Sequence, residues 1–133
     1  MSLYKETLMK HFRDPQFKRE LTNYQEMEDG VNPSCGDNIT LYLNKNDNII
    51  EEISFTGNGC AISMASADIL CSIITKTTDP KAVILEFIQM ITGGDITFKD
   101  DLEVLNVFKE MQNFPARRSC AILPWKTLEK VLS

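Results

Sequence analysis

Apolar and polar positions follow two different periods along this chain, and the switches between them mark out its elements. Tyr4, Leu8 and Phe12 recur every four residues, which predicts a short amphipathic helix capped by Ser2 and stopped by the Asp14-Pro15 pair. From Gln16 to Pro33 the apolar residues thin out and Gly30, Asn32 and Pro33 punctuate, so an ordered surface loop is expected there. The period then drops to two. Ile39, Leu41 and Leu43 alternate with Thr40 and Tyr42, a turn-rich Asn44 to Asn48 cluster follows, and Ile49, Glu51, Ile53 and Phe55 resume the alternation. That pattern predicts an antiparallel hairpin.

Ala61 to Ile74 reads as a helix that is apolar on most sides, with Ser63, Ser66 and Asp68 as its polar strip, and it is expected behind the hairpin. Thr78 or Asp79 caps the next helix, Pro80 opens it, Ala82 to Met90 fills it and Gly93-Gly94 ends it. Leu102, Leu105, Phe108 and Met111 suggest a further helix. Pro115 then breaks the chain, and Pro124 starts a last helix using Trp125, Leu128 and Leu132. Two strands are clear from alternation; a third is expected either before the hairpin or near Ala121 to Leu123. With no repeat or linker, residues 1–133 read as a single α+β domain.

Composition changes this picture little. The chain has 133 residues, 43% hydrophobic and 25% charged, which suits one globular core and argues against disorder or coiled coil. Its net charge of −5 gives no overall footprint for nucleic acid or acidic lipid. No apolar run spans a bilayer, and Met1 to Gly30 is charged throughout, so a cytoplasmic protein without a membrane partner is expected. Four cysteines in that setting read first as thiols, metal ligands or catalytic groups.

Three of the four fall at element boundaries. Cys35-Gly36-Asp37 lies in the loop entering the hairpin, Cys60 sits between a glycine-rich turn and a helix N-terminus, and Cys120 lies in the loop before the last helix. Cys71, mid-helix among Leu70, Ile73 and Ile74, reads as a small core hydrophobe. A helix N-terminus favours thiolate at Cys60, and a tight turn at Gly36 can present Cys35 and Asp37 to one centre. Together with Cys60 and Cys120 this makes a Cys₃Asp set suited to zinc or iron. Three thiolates and a carboxylate around a divalent ion leave negative charge, which Arg117 or Arg118 is placed to offset. Spacing alone, lacking any C-x-x-C pair, leaves unconnected or merely packed cysteines as an equal reading.

Read together, NPSCGD (32–37), TGNGCAISMASAD (56–68), ITGGD (91–95) and PARRSC (115–120) resemble the iron-sulfur cluster assembly proteins of the IscU/NifU N-terminal superfamily. The resemblance covers nearly the whole chain and is strongest to the SufU branch. Two features carry that choice: an extra segment, roughly Asp95 to Phe114, and the lack of the histidine that precedes the last cysteine in IscU. Ser119 holds that place, where the branch has lysine, and Arg118 is an additional cation. The single histidine, His11, is expected to be structural.

The resemblance implies a SufE/NifU-like α+β fold with a small antiparallel sheet of about three strands packed with helices. It also implies zinc on Cys35, Asp37, Cys60 and Cys120, with Arg117 matching the family's arginine. Its activity would be sulfur acceptance from a SufS-like cysteine desulfurase, followed by delivery to a downstream cluster assembly scaffold or apo-protein. Cys35 is the expected acceptor, because a loop beside Gly36 moves at less cost than Cys60, which is tied to a helix. The alternative is an IscU-type scaffold carrying iron or a transient 2Fe-2S cluster on the same residues; a third reading is an adaptor whose metal is purely structural. Met64, Met90, Met111 and Trp125 are expected in the core, and the Asp95 to Glu103 acids on a solvated face.

Overall fold

The computed structural model describes residues 3–132, with side chains from Lys5 onward. The Ser2 cap and the Tyr4 side chain therefore lie outside the described residues. The order of elements is α1 (Leu3–Arg13), β1 (Glu26–Asn32), β2 (Asp37–Asn46), β3 (Ile49–Asn58), α2 (Ala61–Ile73), α3 (Pro80–Ile91) and α4 (Pro115–Glu129). Short 3₁₀ geometry follows α2, and a longer 3₁₀ segment, Asp100–Asn113, occupies the stretch expected to be a further helix. The fold is the expected α+β arrangement, an antiparallel three-stranded sheet in the order β1-β2-β3 packed with helices.

The third strand lies before the hairpin, within the stretch read as a surface loop, and the physical reason is an inverted pattern. Along β1 the buried positions are Gly30 and Asn32, whereas Met27 and Val31 are exposed, so the usual rule of apolar side chains inward fails. Gly30 is needed on the inner face because a Cβ there would sit 2.0 Å from Thr127 Oγ1 of α4. Ala121 to Leu123, the other candidate, is helical.

β2 and β3 bury Ile39, Leu41, Leu43, Ile53 and Phe55 in a core shared with α2, which packs on β3, and α4, which packs on β2. Each such side chain removed from water stabilises the fold by about 1.5–3 kcal/mol. Trp125 stacks on Phe87 at a centroid distance of 4.0 Å, and its Nε1–H donates to Ser66 Oγ at 3.0 Å. Met64, Met90 and Met111 are buried, while Asp95, Asp100, Asp101 and Glu103 are exposed.

The polar strip of α2 is internal and satisfied. Ser66 Oγ donates to the Ala121 carbonyl, and buried Asp68 accepts the Gln16 and Phe17 backbone N–H groups at 2.9 Å each. His11 Nδ1 stands 2.6 Å from Asp68 Oδ2, which fastens the end of α1 to α2 and gives the histidine its structural role. No helix among the described residues is long and apolar enough to cross a membrane.

Candidate metal and thiol site

The turn between β1 and β2 is closed by the Asn32 carbonyl, which accepts the N–H of Cys35 at 3.2 Å and of Gly36 at 2.9 Å. Gly36 has φ +71°, the left-handed region that glycine enters without steric penalty. This holds Cys35 exposed at the tip and starts β2 at Asp37, whose side chain is buried.

The end of β3 returns to the same place, since Asn58 pairs with Asn38. Cys60 N–H then donates to Asp37 Oδ1 at 2.9 Å, and Cys60 Sγ lies 3.9 Å from Asp37 Oδ2. Gly59 makes that approach possible: a Cβ there would meet Asp37 Oδ1 at 2.7 Å and Ser63 Oγ at 2.6 Å. Cys60 caps α2, its sulfur accepting the Ser63 N–H at 3.5 Å, so the expected position at a helix N-terminus is observed.

Cys120 arrives by a different route from the one expected. It does not lie in a loop before the last helix; it lies within α4, which begins at Pro115. Proline at the first helical position lacks only an N–H that would have no helical partner, so Pro115 opens the helix where a break was expected. Pro124, expected as the start, is buried inside α4, where its missing N–H leaves the Cys120 carbonyl without its usual donor. The helical setting points Cys120 inward, with Sγ 3.4 Å from Cys35 Sγ.

Cys35, Asp37 and Cys120 thus offer ligand atoms all within 4.8 Å of one another, a group that can hold a metal ion. Cys60 flanks it through Asp37. A tetrahedral ion with metal–sulfur bonds of about 2.3 Å needs sulfurs roughly 3.8 Å apart, so the Cys35–Cys120 pair suits such an ion, while Cys60 stands outside the group of three. Burial, with Cys35, Asp37 and Cys60 as acceptors, holds the Cys120 thiol in its protonated form well above its ordinary pKa. A bound cation must expel that proton. Cys71 is buried elsewhere in α2, where burial and Asp68 likewise raise its pKa, in keeping with a core role.

A cleft of about 650 Å³ opens onto Cys35, Cys60 and Cys120, walled by Leu8 and Met9 of α1, Ile62 of α2, and Val107 and Met111 of the 3₁₀ segment. Arg117 also lines it, with its guanidinium 4.9 Å above the Phe114 ring. Arg118, the other expected offset to the site's negative charge, is turned away and donates through Nε and Nη2 to the Gln112 carbonyl.

Two further residues belong to the site and were not singled out from the sequence. Asn32 donates through Nδ2 toward Cys120 Sγ at 3.8 Å and to Ser119 Oγ at 3.1 Å, and Ser63 supports Cys60. Asn32 stands in the NPSCGD stretch, but only the strand-to-turn geometry turns its amide toward α4.

The NifU-like N terminal domain model matches residues 3–87, and that match decides the family. This chain belongs to the NifU-like N-terminal domain family. Among relatives of this family, the zinc-dependent sulfurtransferase SufU of Bacillus subtilis is 36% identical over 131 residues, covering 97% of this chain and 88% of its own. The iron-sulfur cluster assembly scaffold protein IscU of Thermotoga maritima is 33% identical over 131 residues, covering 98% and 92%. A crystal structure from Fervidobacterium islandicum, described as a cluster assembly scaffold protein for the SUF system, superposes with TM-score 0.86 at 33% identity over 96% of this chain and 95% of that one. The N-terminal NifU-like protein of Brucella abortus, at 15% identity and TM-score 0.86, shares the fold.

Proposed function

We propose that this family member is an iron-sulfur cluster assembly protein that accepts persulfide sulfur from a cysteine desulfurase at Cys35. Zinc, the metal named for the Bacillus subtilis relative, would be held by Cys35, Asp37, Cys60 and Cys120. Zinc at such a site keeps thiolates deprotonated at neutral pH. The observation that carries the assignment is the contrast in mounting: Cys35 is exposed on a turn with Gly36 in the left-handed region, whereas Cys60 caps a helix and Cys120 is buried within one.

In the transfer, the Cys35 thiolate attacks the outer sulfur of the desulfurase persulfide. A sulfur–sulfur bond forms at Cys35 as the donor's breaks, and the donor cysteine leaves as a thiolate. No net electrons are gained or lost. Asp37 and Cys60 keep the far side of the site in place through the N–H to carboxylate bond between them. Arg117, at the rim of the cleft, adds positive potential where an anionic persulfide arrives.

A scaffold role is the second reading, supported by the name of the Thermotoga maritima relative and by a donor set that iron also accepts. Elemental analysis of the purified chain, with desulfurase turnover measured before and after chelation, separates the two. Near-stoichiometric zinc with chelation-sensitive stimulation is expected. Iron with labile sulfide, or stimulation indifferent to zinc removal, contradicts the transfer reading.

A further inference from the structure

On the other side of α4 from the thiol cleft, a groove of about 460 Å³ runs between β1 and the outer stripe of that helix. Gly30 to Asn32 form one wall, and Ile122 and Leu123 contribute to the other. Arg118, Lys126 and Lys130 line it and no acidic residue does, in a chain whose net charge is −5.

β1 is an edge strand, paired only with β2. Along such a strand alternate residues turn their N–H and C=O toward and away from the neighbour. The Asp29 carbonyl faces outward, because it accepts Lys130 Nζ at 3.0 Å. Two residues on, Val31 presents its N–H and C=O to the same side, beside a side chain that is 68% exposed. At the opposite edge the chain already covers itself: Phe55 of β3 donates its N–H to the Phe17 carbonyl at 3.0 Å, and Lys18 forms a parallel bridge with Phe55. The β1 edge has an apolar trough and a cationic rim in place of such a strand.

We infer that this groove binds an extended acidic segment of a partner protein, which adds to β1 at Val31 and sets its carboxylates against Arg118, Lys126 and Lys130. The groove ends at Asn32 and Ser119, whose side chains hydrogen-bond each other beside Cys120. An occupant would therefore lie next to the thiols while the cleft on the far side of α4 stays open to a sulfur donor. Binding in the groove does not depend on which sulfur chemistry the thiols perform.

The test uses the full chain, isotope-labelled, with a fluorescent peptide of alternating Glu and Val as probe and a labelled oligothymidylate in parallel. The peptide is expected to bind saturably and more weakly as salt rises, shifting the amide resonances of Gly30, Val31 and Asn32. Reversing two exposed charges, Lys126→Glu with Lys130→Glu, is expected to weaken it about tenfold without changing helix content. Val31→Pro, which removes the outward N–H, should weaken it independently of charge. The inference is overturned by an absence of saturable binding, by amide shifts elsewhere, by charge-reversed protein that binds as well as the parent, or by oligothymidylate binding as tightly as the peptide.

Discussion

Cys35 and Cys120 bring their sulfurs to 3.4 Å, yet they stand in opposite mechanical settings. Cys120 is fixed by a helix that is itself pinned to the core: Ser66 bonds the Ala121 carbonyl, and Trp125 stacks on Phe87. Cys35 hangs from a turn closed by two N–H bonds to one carbonyl and bordered by a glycine. Moving Cys120 means disturbing packed side chains, whereas moving Cys35 costs little more than two backbone hydrogen bonds, about 0.5–1.5 kcal/mol each. On the proposed reading, the firm side would retain an ion and the loose side would free its thiolate to accept a sulfur.

Removing one thiol from each side should give the largest effects. Cys120→Ser is expected to abolish metal retention through desalting, as measured by elemental analysis. Cys35→Ser should keep a folded protein with residual zinc, and should lose stimulation of the desulfurase altogether. Gly59→Ala tests the firm side through sterics alone: a Cβ forced against Asp37 and Ser63 should lower thermal stability by about 1–3 kcal/mol and weaken zinc binding together. Asn32→Ala removes the amide that faces Cys120 Sγ, and zinc affinity should fall roughly tenfold with little change in melting temperature.

The smallest effect is one of pH. The Cys120 thiol is held protonated in the metal-free fold, so zinc binding must release that proton and its affinity should rise with pH. The sign for metal-free stability is the reverse. Above pH about 9 the unfolded thiol ionises while the folded one stays protonated, so the unfolded state binds fewer protons and stability should decline as pH rises. Chemical denaturation of chelated protein on either side of pH 9 measures this.

Much of this arrangement is legible in the amino-acid sequence. The hairpin strands bury alternate apolar residues, and α2 is apolar on nearly all sides, so hydrophobic period identified both. Boundary positions likewise point to Cys35 and Cys60 and leave Cys71 in the core, whereas Cys120, read from the same rule as a loop residue, lies inside α4. β1 escaped because its inner face carries Gly30 and Asn32, chosen for close approach of α4 and for contact with Cys120. The start of α4 is not legible because two prolines compete as openers, and only packing reveals that Pro124 is carried inside the helix. Arg118 was expected near the thiols from its spacing, but its orientation depends on the Gln112 carbonyl, which no local pattern discloses.

Cys35 is proposed as the thiol that takes the sulfur. Incubating the zinc-loaded chain with a cysteine desulfurase and cysteine, trapping persulfides by alkylation and mapping them by peptide mass spectrometry tests it most directly. A one-sulfur mass gain is expected on the peptide containing Cys35, with Cys60 and Cys120 unmodified. Persulfide on Cys60 or Cys120 in protein that retains its zinc, with Cys35 unmodified, would contradict it.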